Sequence, residues 1–251
     1  MRFNTVSSAT SMVHFLSTDR VAFPNPAEAD EDGLLAIGGK LTPEWLLLAY
    51  SHGIFPWYDY RNDPICWYCP RERFVIFPRE IHISHSLRQM IRSDKYLVSC
   101  NVAFDAVIEH CSTAQGRMNQ EGAWLGDGMI AAYKKMHELG YGVSVEVWDA
   151  QRVSETNGQQ GIVAQSGADG SVMTFNPDAL VGGLYGINIG RNFVGESMFS
   201  LIPSASKLAL VFLAELVGKI GGIIDCQLRT PHLESMGGRF ISYDEYMMYF
   251  K

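Results

Sequence analysis

Apolar and polar positions divide this chain into a crowded start and a more regular remainder. Between Phe23 and Trp57, residues Pro24, Pro26, Gly33, Gly38 and Gly39 leave little room for regular structure. Thr42-Pro43-Glu44-Trp45 then predicts a helix: Thr42 as N-cap, proline at the first helical position, an acid near the positive end. Gly53 is its natural stop. Ile54-Phe55-Pro56-Trp57-Tyr58 is apolar, but its proline excludes a central strand. With Trp67 and Tyr68 it predicts either a small aromatic core or an aromatic-lined pocket.

Further on, Phe74-Val75-Ile76-Phe77 reads as a strand and Ser84 to Ser93 as a helix capped by Ser84, with Leu87, Met90 and Ile91 inward. Arg88, Arg92 and Lys95 fall at i, i+4 and i+7 and so share a face. With Arg71, Arg73 and Arg79 upstream they form the most basic neighbourhood of the chain, either a solvated surface or a grip on phosphates. Two more helices are predicted, over about Val102 to Cys111 and over Gly128 to Leu139, the latter with Ile130, Tyr133, Met136 and Leu139 as its apolar positions. Gly142 to Trp148 alternates as a strand, with Val143, Val145 and Val147 on one face. Residues 149–179 are rich in polar residues and glycine, which predicts a surface insertion with a hairpin around Val163 and Val172.

Leu180 to Ile189 and Phe193 to Phe199 are strands, the first thinned by three glycines and the second carrying Glu196. Ser204 or Ser206 opens a long helix through Val217, and Gly221-Gly222 delivers the chain to Ile223-Ile224-Asp225-Cys226-Gln227. That stretch reads as a buried strand with a carboxylate where a hydrophobe is expected. Period two places Asp225 and Gln227 on one face, as a satisfied polar network or as a catalytic pair. Thr230-Pro231 starts a short helix, and Ser242 to Glu245 is a capping box for a terminal aromatic one. Strands and helices mix without regular alternation. The expected class is therefore α+β: a small irregular N-terminal domain over 1–72, then a domain over 73–251 with a mixed, largely antiparallel sheet, interrupted at 149–179.

Composition adjusts this picture in a few places. The 251 residues are 47% hydrophobic and 19% charged, ordinary for a globular chain. A net charge of −7 offers nucleic acid no attractive field, so any RNA contact must rest on the local basic patch. The apolar run from Leu208 to Ile224 is broken by Glu215, Lys219 and Gly221-Gly222, as a buried helix is and a membrane span is not. No secretory signal is expected from Met1 to Leu16, and five scattered cysteines fit reduced thiols in a cytoplasm. Cys66 and Cys69 invite a zinc site with His82, but His85 lies only two residues further, too close for the fourth ligand; no metal is expected.

Many ordered blocks resemble the leucyl/phenylalanyl-tRNA–protein transferases: Phe23-Pro24, Gly33 to Gly39, Gly53-Ile54-Phe55-Pro56-Trp57, His82-Ile83-Ser84, Trp124 and His137-Glu138-Leu139-Gly140. The blocks continue through Val181 to Gly186, Gly195 to Ser200 and Asp225-Cys226-Gln227. The resemblance implies a C-terminal domain like the GCN5-related acyltransferases. The implied activity transfers leucine, phenylalanine or methionine from aminoacyl-tRNA to a protein's N-terminal Lys or Arg, tagging it for degradation, without cofactor. It places Asp225 and Gln227 at the reacting centre, with Glu196 positioning substrate, and it makes Leu184, Phe193, Met198 and Phe199 candidates for the side-chain pocket. Tyr50, Trp57 and Trp124 would meet the terminal adenosine, and Arg88, Arg92 and Lys95 the acceptor-stem phosphates. The expected form is a cytoplasmic monomer with no membrane partner. The competing readings are an acyl-CoA-dependent N-acetyltransferase of similar fold and a non-catalytic aminoacyl-tRNA-binding module. Residues 149–179 are longer than the family pattern.

Overall fold

A computed structural model describes residues 13–57, 64–113, 125–153, 162–166 and 171–250. The chain opens with β1 (His14–Leu16), β2 (Leu34–Gly38), α1 (Pro43–Ser51), β3 (Phe55–Trp57) and β4 (Cys66–Tyr68). These strands form a four-stranded sheet in the order β1-β2-β4-β3. The proline-bearing β3 sits at its edge, as the missing N–H requires. Thr42 precedes α1 with extended backbone, although its side chain makes no cap bond to the helix.

The second part runs β5 (Glu72–Ile76), α2 (His85–Arg92), β6 (Tyr96–Cys100), α3 (Phe104–Thr113), α4 (Asp127–Glu138) and β7 (Gly142–Asp149). It continues with β8 (Ile162–Ser166), β9 (Ser171–Phe175), β10 (Leu180–Ile189), β11 (Asn192–Ser200), α5 (Ala205–Lys219), β12 (Ile224–Asp225), α6 (Pro231–Ser235), β13 (Arg239–Ser242) and α7 (Tyr243–Met247). Seven of these strands form a sheet in the order β13-β5-β12-β11-β10-β7-β6. Only β11 and β12 run parallel within it; the other neighbours are antiparallel. The mixed, largely antiparallel sheet of an α+β chain is thus as expected. β8 and β9 pair as a separate antiparallel hairpin, aligning Val163 with Thr174 and Gln165 with Val172.

Each face of the large sheet has its own core. Val145, Val147, Leu184, Phe193 and Ile224 pack against Leu210, Leu213 and Val217 of α5 and Leu87 of α2. On the other face, Trp148, Tyr185 and Val194 join Phe104, Val107, Tyr133 and Met136 from α3 and α4. That second core continues into Trp45, Tyr50, Phe55 and Trp67. The small sheet is therefore packed against the large one over α1, and this brings Tyr50 close to β11.

Several local expectations shift. In α4 the buried positions are Met129, Ala132, Tyr133 and Met136, whereas Leu139 is exposed. The spacing of three used to choose Ile130 through Leu139 drifts around a 3.6-residue helix, while i, i+3, i+4, i+7 does not. Ile91 is likewise exposed, and α2 ends at Arg92, so Lys95 lies in the turn before β6 and is not on the helix. Ser204 precedes α5 in a left-handed conformation (φ 68°) and makes no side-chain cap; the Ser206 N–H donates instead to the Ser200 hydroxyl at 2.9 Å. The caps at Ser84, Thr230 and Ser242 accept N–H groups as expected. Among the described residues no helix is long and apolar enough to cross a membrane.

Candidate active site

Two irregularities in the large sheet create a cavity. Parallel β11 and β12 pair at only two positions, Phe193 with Ile224 and Val194 with Asp225. Beyond them β11 runs on to Ser200 while the chain after Asp225 turns away, so the strands splay apart. Gln227 makes the turn, at φ 57°. The second irregularity lies between β10 and β11, where Tyr185 pairs with Ser197 but Gly186 pairs with Gly195. Glu196 is the extra residue of a β-bulge, a device that re-aims a side chain. Gly186 is needed there, because a Cβ would collide with the Val194 carbonyl oxygen.

The space opened by the splay has a volume of about 580 Å³. Leu184, Phe193 and Met198 wall it from the sheet, Leu210 and Leu213 from α5, and Leu233 from α6. Glu196, Gln227 and Trp57 also border it. All four candidates for the side-chain pocket therefore border the cavity. Phe199 does so with its ring in the opposite core, stacked on His110 at a centroid distance of 4.7 Å. The α5 residues were legible as a helix but not as a cavity wall.

Glu196 is half-buried and closely held. Its Oε1 accepts from the Tyr50 hydroxyl at 2.7 Å and from Gln227 Nε2 at 3.2 Å. Its Oε2 lies 2.7 Å from the Tyr133 hydroxyl oxygen, and the two tyrosine oxygens lie 2.8 Å apart. Burial pushes the Glu196 carboxyl up to about 7, and the charge of Asp225 adds to the rise. Burial, with the Glu196 charge next, also raises Tyr50 and Tyr133 well above the usual phenol range. Tyr133 had no local signal beyond its place on an apolar helix face.

Asp225 lies deeper. It is 0% exposed, does not border the cavity, and pairs with Arg73, itself 1% exposed. The Tyr246 hydroxyl donates to Asp225 Oδ2 at 2.7 Å, and the Gln227 backbone N–H donates to Oδ1 at 2.9 Å. Arg73 also donates to the Gly53 carbonyl and lies over the rings of Tyr246 and Phe55 at 4.5 and 5.0 Å. Arg73 is thus no part of a basic surface: it is the counter-ion of Asp225. The shared strand face expected for Asp225 and Gln227 is also replaced. The strand ends at Asp225, and the Gln227 backbone N–H donates to the Asp225 carboxylate while the Gln227 amide turns to Glu196. Asp225 is linked to the cavity through its hydrogen bond with Gln227.

Tyr50 does not offer a stacking surface for a base. Its ring is 1% exposed, and its hydroxyl serves Glu196. Trp57 is partly exposed on the edge strand and borders the cavity, and Trp124 lies outside the described residues. Arg88, Arg92 and Lys95 are exposed. Cys66 and Cys69 form no disulfide, and burial pushes the Cys69 thiol up to about 11. Among the described residues no group of three metal-ligating side chains gathers.

Known proteins share this pattern at length. The family model described as leucyl/phenylalanyl-tRNA protein transferase matches residues 75–164 and 155–251, two stretches that overlap within 149–179. The model of that family's N-terminal domain matches residues 39–71. Proteins named leucyl/phenylalanyl-tRNA–protein transferase are similar along most of the chain. The one from Flavobacterium psychrophilum is 40% identical over 240 residues, which is 95% of this chain and 100% of that protein. Those from Syntrophus aciditrophicus and Chromohalobacter salexigens are 45% and 44% identical, covering 88% and 95% of this chain and 81% and 82% of theirs.

Proposed function

The chain belongs to the leucyl/phenylalanyl-tRNA–protein transferase family, and from that premise we propose that it moves leucine, phenylalanine or methionine from aminoacyl-tRNA to proteins beginning with Lys or Arg. The observation that carries this reading is the juxtaposition in one cavity of an apolar slot with the Glu196–Gln227 pair. Leu184, Phe193, Met198, Leu210 and Leu213 suit a leucyl or phenylalanyl side chain, since an apolar slot rejects charged and polar ones by leaving them unpaired.

The aminoacyl ester arrives activated, so the site must align an amine with it and exclude water. Nitrogen attacks the ester carbonyl, the C–N bond forms, the C–O bond to ribose breaks, and one proton passes from nitrogen to the ribose oxygen. An α-amino group titrates at about 7.7–8.0. Glu196, pushed to about 7, is matched to exchange protons with it. Gln227 spends its Nε2 on Glu196, which leaves Oε1 to accept from the attacking nitrogen. An amide is not a base; its role is alignment. From Gly195 onward β11 offers main-chain groups on the side where β12 has turned away, a place for the oxyanion.

Trp57 is the stacking surface for the terminal adenosine, and Arg88, Arg92 and Lys95 are the grip on acceptor-stem phosphates. The division of labour falls near 72/73, with the Trp57 stacking surface before it and the cavity with Glu196 and Gln227 after it, Tyr50 reaching across to Glu196. The reaction belongs in the cytoplasm, where aminoacyl-tRNA is made, and the product is marked for degradation. The test incubates radiolabelled Leu-tRNA with peptides beginning with Lys, Arg or Ala. Label on the first two and none on the third is expected; no label on the Lys and Arg peptides overturns the reading.

A further inference from the structure

Three oxygen–oxygen contacts join Tyr50, Tyr133 and Glu196 into a closed triangle, at 2.7, 2.7 and 2.8 Å. Contacts this short each need a proton between the oxygens. Each tyrosine supplies one, so an ionised Glu196 gives two protons for three contacts. Both hydroxyls would then point at the carboxylate, and the tyrosine oxygens would face one another lone pair to lone pair. A protonated Glu196 supplies the third proton and satisfies every contact in the ring.

We propose that Tyr50, Tyr133 and Glu196 form a ring of three hydrogen bonds that retains one proton in the free protein, with Tyr133 as the residue that positions it. The direction of the ring follows from Gln227. Its Nε2 donates to Glu196 Oε1, which makes Oε1 the acceptor and Oε2 the protonated oxygen. Oε2–H then donates to Tyr133, Tyr133 to Tyr50, and Tyr50 back to Oε1. Asp225, anchored to Arg73, faces the group from β12 and favours its neutral form, and Tyr185 packs on Tyr133 from β10 at a centroid distance of 5.5 Å. Resting on the transfer reading above, this fixes the order of proton movements. The ring first gives its proton to the departing ribose oxygen, and the nitrogen's surplus proton then restores it, so the catalyst ends each turnover unchanged.

The test needs no substrate. Protein labelled with ¹³C at glutamate carboxyls is titrated by NMR, and the Glu196 signal is assigned as the one missing from Glu196→Gln. A midpoint close to 7 is expected. Tyr133→Phe removes the acceptor of the stored proton and is expected to lower that midpoint by on the order of one pH unit. Tyr50→Phe opens the ring at its other corner and is expected to shift the midpoint the same way, so either variant suffices should one fail to fold. If the hydroxyls merely donate to a carboxylate, deleting one raises the midpoint. A raised or unmoved midpoint, or a Glu196 still ionised at pH 5, overturns the ring. Because the readout is the free protein, failure of the transfer assay would leave this result standing, and the reverse holds too.

Discussion

Asp225 Oδ1 accepts the backbone N–H of Gln227 at 2.9 Å and so holds a non-glycine residue in the left-handed region, at φ 57°. The other oxygen of the same carboxylate is committed to Arg73 and Tyr246. One buried ion therefore fixes where the chain leaves the sheet, and the exit fixes where the Gln227 amide can reach.

Asp225→Ala is expected to destabilise the protein by about 3–5 kcal/mol, because it strands the Arg73 charge in the core. Arg73→Met combined with Asp225→Ala removes both charges and is expected to recover most of that loss in urea unfolding. Transfer activity stays low in the double variant, since nothing then restrains Gln227. Recovery of activity together with stability would show that Asp225 matters only as a partner for Arg73.

Glu196 makes stability depend on pH with a defined sign. Its folded-state midpoint of about 7 lies above the ordinary carboxylate value of 4.5. Its contribution is therefore fully present below 4.5 and is lost as pH rises through about 7. Chemical unfolding between pH 4.5 and 7.5 is expected to show this decline, amounting to on the order of 1–3 kcal/mol, and Glu196→Gln is expected to flatten it. An unchanged slope in that variant would assign the decline to other groups.

Leu213 borders the cavity from α5, so a larger side chain there intrudes on the bound acyl group. Leu213→Phe is expected to reduce transfer of phenylalanine relative to leucine by about tenfold, roughly 1.4 kcal/mol of discrimination. Competition between the two charged tRNAs measures the ratio directly. Equal loss with both donors would place the acyl side chain elsewhere.

Arg88 and Arg92 are exposed on α2 and carry their charge into solvent. If both meet phosphates, Arg88→Ala with Arg92→Ala weakens tRNA binding and reduces the slope of log K against log salt by about 2. A filter-binding series over salt concentration reads the slope. No change in it leaves these arginines a solvated face.

Local pattern made much of the framework legible. The proline in β3 told of an edge, Ser84, Thr230 and Ser242 marked helix starts, and the β-branched run before Asp225 marked a buried strand. The site was legible only as a set of suspects. Arg73 reads as one of a basic neighbourhood and the resemblance sends Tyr50 to the adenosine; their partners lie 152 and 146 residues away, and no local period records a partner at that distance. Tyr133 was hidden in plain periodicity, since an apolar helix face accepts a tyrosine without revealing what its hydroxyl touches. The splay of β11 from β12 was invisible for another reason: it arises where pairing stops, and Gln227 is a residue type that seldom signals a left-handed turn.

A more regular strand would make a poorer protein of this kind. Dropping one residue from β11 at position 196 would let the ladder with β10 run uninterrupted, and a design procedure rewarding ideal geometry would favour that deletion. It would also remove the carboxylate from the space between Tyr50, Tyr133 and Gln227. In searching distant relatives, an insertion or deletion at this point in the strand would therefore carry more information about lost activity than a substitution almost anywhere else in the sheet.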